Sequence, residues 1–503
     1  MPVLLGVLGL LACGARSSLG ERAARGSTRV RDAAVDGAPD DASTGIDAGE
    51  RPDAVGFDAG RDAGVASCRR DADCERGRCR LSPAFTPSDR APAPLVCGDD
   101  GPGADDGALC DDVDGCARGL CVVAGSCVAP CVDDEDCGPA ERCASLYVRT
   151  GRAALQTLRG CVARFDVPSG VDVTRTSLGT RRGSTVLEIA GVRGRTFEVY
   201  ETSGASLLPT SLRTRGASPQ VLFDLARLGP GAAAPRNPIA PFVLPVTVLL
   251  PNSPASVVAS EGYEMAVEVG APTEIVVSRL QRSEGAGRVL DLDLFYVGGA
   301  GLAPASERGP PSVREALGEA ETLLGIRFGE VRQHEVVGGL RRQLAILEAD
   351  AEEELPELPE LFALSAGAGR PSVAVFFVRD MEVALGVSGG VPGPWGMHGL
   401  AGSGIALSLD VLDDYGLRIG DVLAHELGHF LGLFHTTESD GTVLEPLPMT
   451  PSCPLDRDLD GDLMLLPEEC AEFDGSNLMF WAGVGRRLLP QQRALIRAAF
   501  VLR

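Results

Sequence analysis

The chain predicts a multidomain protein. A disulfide-rich repeat region and an antiparallel β-sandwich precede a C-terminal α+β domain, in which a mixed sheet accompanies a histidine-bearing helix. Three observations predict this. Twelve of the fifteen cysteines fall between Cys68 and Cys161 with a repeated spacing. Short β-branched and aromatic segments, separated by Gly, Pro or Ser, fill residues 166–305. From 306 onward strand-like runs alternate with helical periodicity, and "DVLAHELGHFLGLFH" at 421–435 holds three of the chain's five histidines.

Length and charge set the frame. At 503 residues the chain is too long for one ordinary core. Its net charge of −24 argues against a phosphate-binding surface, so nucleic acid is not an expected partner. Setting Cys13 aside leaves an even number of clustered cysteines, the pattern of disulfides in an oxidising, exported location.

Residues 1–13 hold the apolar run "VLLGVLGLLA" followed by Cys13. The run is too short for a permanent transmembrane helix and suits a signal-peptide core. "LLAC" resembles a bacterial lipobox, in which the cysteine becomes the lipid-carrying N-terminus. The other reading is an ordinary secretory signal that contains a cysteine, and no Lys or Arg precedes the run. Both imply export, either as a cell-surface or outer-membrane lipoprotein that meets membrane only through this anchor, or as a secreted protein. Residues 14–67, rich in Asp, Ala, Gly and Arg, have too few large apolar residues to offset the entropy of ordering and predict a disordered tether.

Between 68 and 165 the cysteines form three sets of four: Cys68, Cys74, Cys79 and Cys97; Cys110, Cys116, Cys121 and Cys127; Cys131, Cys137, Cys143 and Cys161. Cys-x2-Cys zinc knuckles are lacking. The region predicts three small cross-linked units acting as a stapled spacer, with the pairing left open. The β segments of 166–305, among them "RTFEVYET", "FVLPVTVLLP", "YEMAVEVG" and "RVLDLDLFYVGG", predict an accessory sandwich without a catalytic cluster.

In the last part, 306–503, "SVREALGEAETLLG" places Val313, Ala316, Leu317, Ala320 and Leu324 on one helical face. "IRFGEV", "SVAVFFVRD" and "GIALSLD" predict strands, the second of them buried. "LPQQRALIRAAF" predicts a helix with Pro490 at its start.

On the central helix, i and i+4 share a face, so His425 and His429 point the same way with room for an ion between them. Glu426 can reach a water on that ion. Gly432 can end the helix in a left-handed conformation and return His435 as a third ligand. Three neutral imidazoles leave the fourth position of a zinc ion open, the composition of a catalytic site. Zinc lowers the pKa of water to about 7, and Glu426 would take the proton as general base. The spacing matches the metzincin pattern H-E-x-x-H-x-x-G-x-x-H. Met479, in "SNLMFW" after Asn477, stands where that pattern needs a methionine turn.

"AHELGHFLGLFHT", "MTPSCP", "SNLMFW" and "LLPQQRALIRAAF" together resemble the pappalysin-type metzincins over residues 310–503. The resemblance implies a zinc endopeptidase with His425, His429 and His435 as ligands, Glu426 as base and Met479 as turn methionine. It also implies a protein or peptide substrate paired in extended form on an edge strand, expected to be "GIALSLD". Two positions depart from the family: Trp481 stands where a tyrosine is common, and Met449 replaces the Asp of "DTP".

Cys453 and Cys470 bracket "PLDRDLDGDLMLLPEE" and are expected to pair. Within it Asp456, Asp458, Asp460 and Asp462 resemble the start of a Ca2+ loop, although Pro467 falls where an EF-hand has Glu. His398 reads as a surface-loop histidine. Ser439 and Asp440 follow His435 without any G-x-S-x-G nucleophile motif. The rival reading is an adhesion or binding lipoprotein that keeps the protease fold in idle form; the intact Glu426 argues against it.

Overall fold

In each of the three cysteine sets the first residue pairs with the third and the second with the fourth: Cys68–Cys79 and Cys74–Cys97, Cys110–Cys121 and Cys116–Cys127, Cys131–Cys143 and Cys137–Cys161. The computed structural model describes residues 67–503, apart from stretches that include 83–94, 111–115, 241–244, 254–260, 298–310, 337–342, 351–354 and 410–417. The apolar run, Cys13 and the tether up to residue 66 lie outside the described residues.

The repeat region contains β1 (Arg78–Leu81) paired with β2 (Leu95–Gly98), and β3 (Cys121–Val122), β4 (Glu141–Arg149) and β5 (Leu155–Ala163) in a second antiparallel sheet. Ion pairs lock the units together: Arg118 with Asp71 and Asp106, and Arg70 with Asp136. The expected spacer is in fact a packed element. Val122, Val123, Leu146 and Val148 share one core with Phe295, Leu361, Phe362 and Phe376 of the C-terminal part. The Ser126 hydroxyl donates to the Gly367 carbonyl across that contact. The units are poor in core alone but carry enough valine and leucine on one side to complete another.

The middle part contains β6 (Val171–Ile189), β7 (Thr196–Thr202), β8 (Leu207–Thr214), β9 (Val221–Asp224), β10 (Val246–Leu250) and β11 (Tyr263–Arg282). β6 and β11 run antiparallel along their lengths, with an irregularity between Val269 and Thr273. On its other side β11 pairs first with β8 and, past that point, with β7. One six-stranded sheet therefore serves as two halves, and both contribute to a core of Tyr200, Val248, Phe223, Tyr263 and Met265. A bulge that re-aims a long strand is the usual means of such a bend.

The strand at the end of the expected β unit belongs elsewhere. β12 (Val289–Tyr296) pairs in parallel with β13 (Arg327–Glu335) and β15 (Val373–Val378), so the C-terminal part begins before 306. Parallel neighbours need a crossover, and α1 (Pro311–Leu324) supplies it between β12 and β13, with Val313, Ala316, Leu317, Ala320 and Leu324 buried. A short parallel pair, β14 (Ile346–Leu347) with β16 (Asp380–Met381), and α2 (Leu358–Ala363) flank the sheet. The sheet ends with β18 (Ile405–Ser408), parallel to β15, and β17 (Gly386–Ser388), antiparallel to β18. "GIALSLD" is thus an interior strand, and the edge is β17.

α3 (Ile419–Phe430) lies on this sheet and against α1; Gly420 lets it approach Ala316 and Glu319. Leu423 and Leu427 of α3 join Leu385 and Leu407 of the sheet and Phe197, Leu249 and Leu280 of the middle part in one core. α4 (Pro490–Arg497) closes the chain.

A buried charge cluster pins β12 to β13. Asp293 is fully buried and accepts hydrogen bonds from Arg332, from the His334 ring at 2.7 Å and from Ser372 at 2.6 Å. Burial alone would push its carboxyl up, but His334 and the Arg332 guanidinium outweigh that and hold it well below the usual carboxylate range. A group depressed in the fold contributes stability that is present above its unfolded pKa and lost as pH falls through that region. Asp293→Asn should cost about 3 kcal/mol at pH 7 by stranding Arg332. In denaturant titrations the gap between parent and variant should narrow below about pH 4.

Candidate metal centre

Residues Gly420 to Phe430 of α3 are all buried. Asp421 in its first turn complements the helix dipole and is held by Arg486. The helix stops at Gly432, whose φ is +107°, in the region that favours glycine. The Gly432 N–H reaches the His429 carbonyl at 2.8 Å and the Leu433 N–H reaches that of Gly428 at 2.9 Å, which is a Schellman ending. The turn does two things. It brings the Leu433 carbonyl to His429 Nδ1 at 2.7 Å, and it returns His435 toward the helix.

The three imidazoles converge. Their Nε2 atoms lie 3.1 Å (His429–His425), 3.0 Å (His429–His435) and 3.2 Å (His425–His435) apart. Each Nδ1 is already engaged: His425 donates to the Leu478 carbonyl at 2.6 Å, His429 to Leu433, and His435 to Glu438 Oε2 at 2.7 Å. With the proton on Nδ1, every Nε2 presents a lone pair, and three lone pairs cannot satisfy one another. Tetrahedral zinc with Zn–N bonds of 2.0–2.1 Å sets its nitrogens about 3.3 Å apart, so the donor set fits that ion. Burial, with His435 nearby, holds His425 down to about 3 and His429 well below the ordinary histidine range. These two rings are therefore kept in the neutral form that binds metal.

Glu426 points from the same helix, fully buried, and neither carboxylate oxygen is closed into a well-aligned hydrogen bond, with the Ser388 N–H the one protein donor that acts on it. Burial pushes its carboxyl well above the usual range, and only the Ser388 N–H of β17 opposes this. β17 passes directly over it. A Cβ at Gly386 would stand 2.7 Å from Glu426 Cγ and 2.9 Å from Oε1. The edge strand and the acid are thus neighbours, which the sequence reading missed because "GVS" is too short to register as a strand.

Met479 is buried beneath the helix; a Cβ at Gly428 would lie 2.6 Å from its Sδ. Its turn is held by side-chain amides. Asn477 Oδ1 accepts the Met479 N–H at 2.9 Å, and Asn477 Nδ2 donates to Gln492 Oε1 of α4 at 3.1 Å. The turn's carbonyls then fix the site: Leu478 orients His425, and Met479 accepts the Thr436 N–H at 2.8 Å. Trp481 spends its one N–H on the Leu465 carbonyl at 2.6 Å and packs with the Cys453–Cys470 disulfide, so it offers the centre no donor.

Other sequence-selected residues fall as follows. Met449 is exposed. Asp458 accepts the N–H groups of Gly461 and Leu463, Asp460 that of Asp462, and Asp462 that of Met464, all within the loop that Asp456 opens. Ser439 accepts the Leu465 N–H through its carbonyl, and Asp440 that of Thr442 through its side chain. His398 is buried, with Nε2 3.0 Å from the Arg370 carbonyl, contrary to its expected surface position. Glu438 and Glu445 carried no sequence motif. Glu445 is buried and accepts the Leu447 N–H at 2.9 Å, while its Oε2 has no partner.

No protein-family model matches the chain, and no curated protein does. Among solved structures, one described as "Structure of a chaperone-substrate complex" is 13% identical with a TM-score of 0.23, over 48% of this chain and 38% of that chain. That likeness carries no argument.

Burial pushes Glu445 up to about 8, against the opposing hydrogen bonds of Leu447 and Gln492. A carboxyl raised in the fold stabilises below its unfolded pKa, and that contribution is lost as pH rises through the folded value. Glu445→Gln should therefore match the parent near pH 4.5 and be more stable by about 2 kcal/mol above pH 8, read from thermal melts across pH.

Proposed function

We propose that the chain is a zinc-dependent endopeptidase of the metzincin type, resembling the pappalysins. The single observation that carries this is the orientation of three imidazoles whose Nε2 atoms meet within 3.0–3.2 Å, each fixed through its Nδ1. Zinc held by His425, His429 and His435 supplies Lewis acidity toward a peptide carbonyl and acidifies water to a pKa of about 7. The protein's own groups do the rest. Glu426, whose carboxylate meets only the Ser388 N–H, would take a proton from water and pass it to the leaving amine. The buried surroundings keep competing water out and strengthen each electrostatic contact.

Extended substrate would be presented by β17, whose outer side is the sheet edge beside Glu426. Gly386 leaves the acid room under that strand. The seven disulfides mark a protein of an oxidising, exported compartment. Anchorage through a lipidated Cys13 is the finer proposal, and Ca2+ in the loop of Asp456 to Asp462 another.

The test uses the full chain. Casein cleavage by the parent should vanish with a zinc chelator and return with zinc. Glu426→Gln should keep one zinc per chain yet cleave about 10²- to 10⁴-fold more slowly. Equal cleavage by the variant would remove Glu426 from the mechanism, and a parent without zinc would sink the proposal.

A further inference from the structure

The three ligands are not held alike. His425 and His429 donate to main-chain carbonyls, one in the methionine turn and one at the end of α3 itself. His435 alone donates to a side chain, the Glu438 carboxylate at 2.7 Å. That carboxylate is also the acid that bonds directly to a ligand histidine among the described residues. A glutamate has several rotamers and needs its backbone fixed if it is to orient anything.

The backbone is fixed, and much of the hold comes from another part of the chain. Glu438 begins a tight turn: its N–H donates to the Thr442 carbonyl at 2.9 Å, and the Gly441 N–H returns to the Glu438 carbonyl at 3.0 Å. A strap from the middle β part, residues 229–234, runs beside this turn. Gly231 N–H donates to the Asp440 carbonyl at 3.0 Å, Val443 N–H to that of Ala232 at 2.8 Å, and Ala234 N–H to that of Val443 at 2.8 Å. The Thr442 hydroxyl donates to the Gly229 carbonyl at 2.8 Å. The strap's apolar side seals the junction, with Ala234 and Leu228 against Phe434 and Leu444.

We propose that Glu438 is a positioning residue for the metal, and that the β part is a working component of the metal centre because its 229–234 strap holds the Glu438 turn. This rests on the zinc reading above. A carboxylate on Nδ1 fixes the tautomer of His435, aims its ring and raises the basicity of its Nε2. The strap ties that effect to a part of the chain that contributes no ligand.

The test reads zinc affinity rather than turnover. Full-length protein is stripped with chelator, and zinc is returned in competition with a chromophoric chelator; Co2+ replaces zinc for an absorption spectrum. Glu438→Ala should bind zinc about 10- to 100-fold more weakly. Glu438→Gln, which keeps an acceptor and loses the charge, should fall between alanine and parent. Thr442→Val, which removes one strap bond and touches no ligand, should weaken binding several-fold and shift the Co2+ bands. Circular dichroism confirms that each variant is folded. Parent affinity in folded Glu438→Ala would overturn the role of Glu438. Parent affinity and spectrum in Thr442→Val would overturn the role of the strap. A parent that binds no zinc would instead fail the metal reading itself, an outcome distinct from both.

Discussion

Three imidazole lone pairs facing one another at 3.0–3.2 Å repel unless a cation stands between them. Much of the C-terminal architecture exists to impose that arrangement. Left free, each ring would turn outward or take a proton. The Schellman ending at Gly432, the methionine turn and the Glu438 turn each deliver an acceptor to one Nδ1, so no ring can rotate without giving up a buried hydrogen bond. Burial adds the second constraint by disfavouring the protonated forms of His425 and His429.

Those acceptors are in turn held by layers further out. The methionine turn depends on the Asn477–Gln492 amide pair, hence on α4. α3 depends on α1, on the sheet, and on Phe197 and Leu249 of the middle part. The sheet completes its other face with valines and leucines of the repeat units. A perturbation in any of these reaches the rings through packing that has few discrete alternatives.

The convergence of the three histidines was legible because it is local: their spacing and one glycine define it within eleven residues, from His425 to His435. The long helices and the buried strand at Val373–Val378 were legible for the same reason, since their periodicity lies in contiguous residues. What escaped was whatever depends on a distant partner. "VLDLDLFY" alternates like a half-exposed strand, yet its Asp293 is buried because Arg332 and His334 lie across the sheet. "GPWGMHGLAGSG" has the composition of a surface loop. Its residues 393–398 are buried because glycines permit close approach, as where Gly393 meets the Phe430 ring. Glu438 became informative only once His435 was seen to donate to it.

The position of β12 decides how such a chain can be divided. It follows β11 after a short connection, yet it is hydrogen-bonded on both sides within the other sheet. A fragment that starts at 306 would therefore lack an interior strand of its own sheet, the one between β13 and β15, and expose two unpaired strand edges, an invitation to aggregate. A fragment that ends there would carry that strand away as an apolar tail. The chain is better regarded as one interlocked body than as a row of exchangeable cassettes. Any shuffling of this C-terminal unit onto other partners would have to cut between Arg282 and Val289, and it would still leave behind the strap that is hydrogen-bonded to the Glu438 turn.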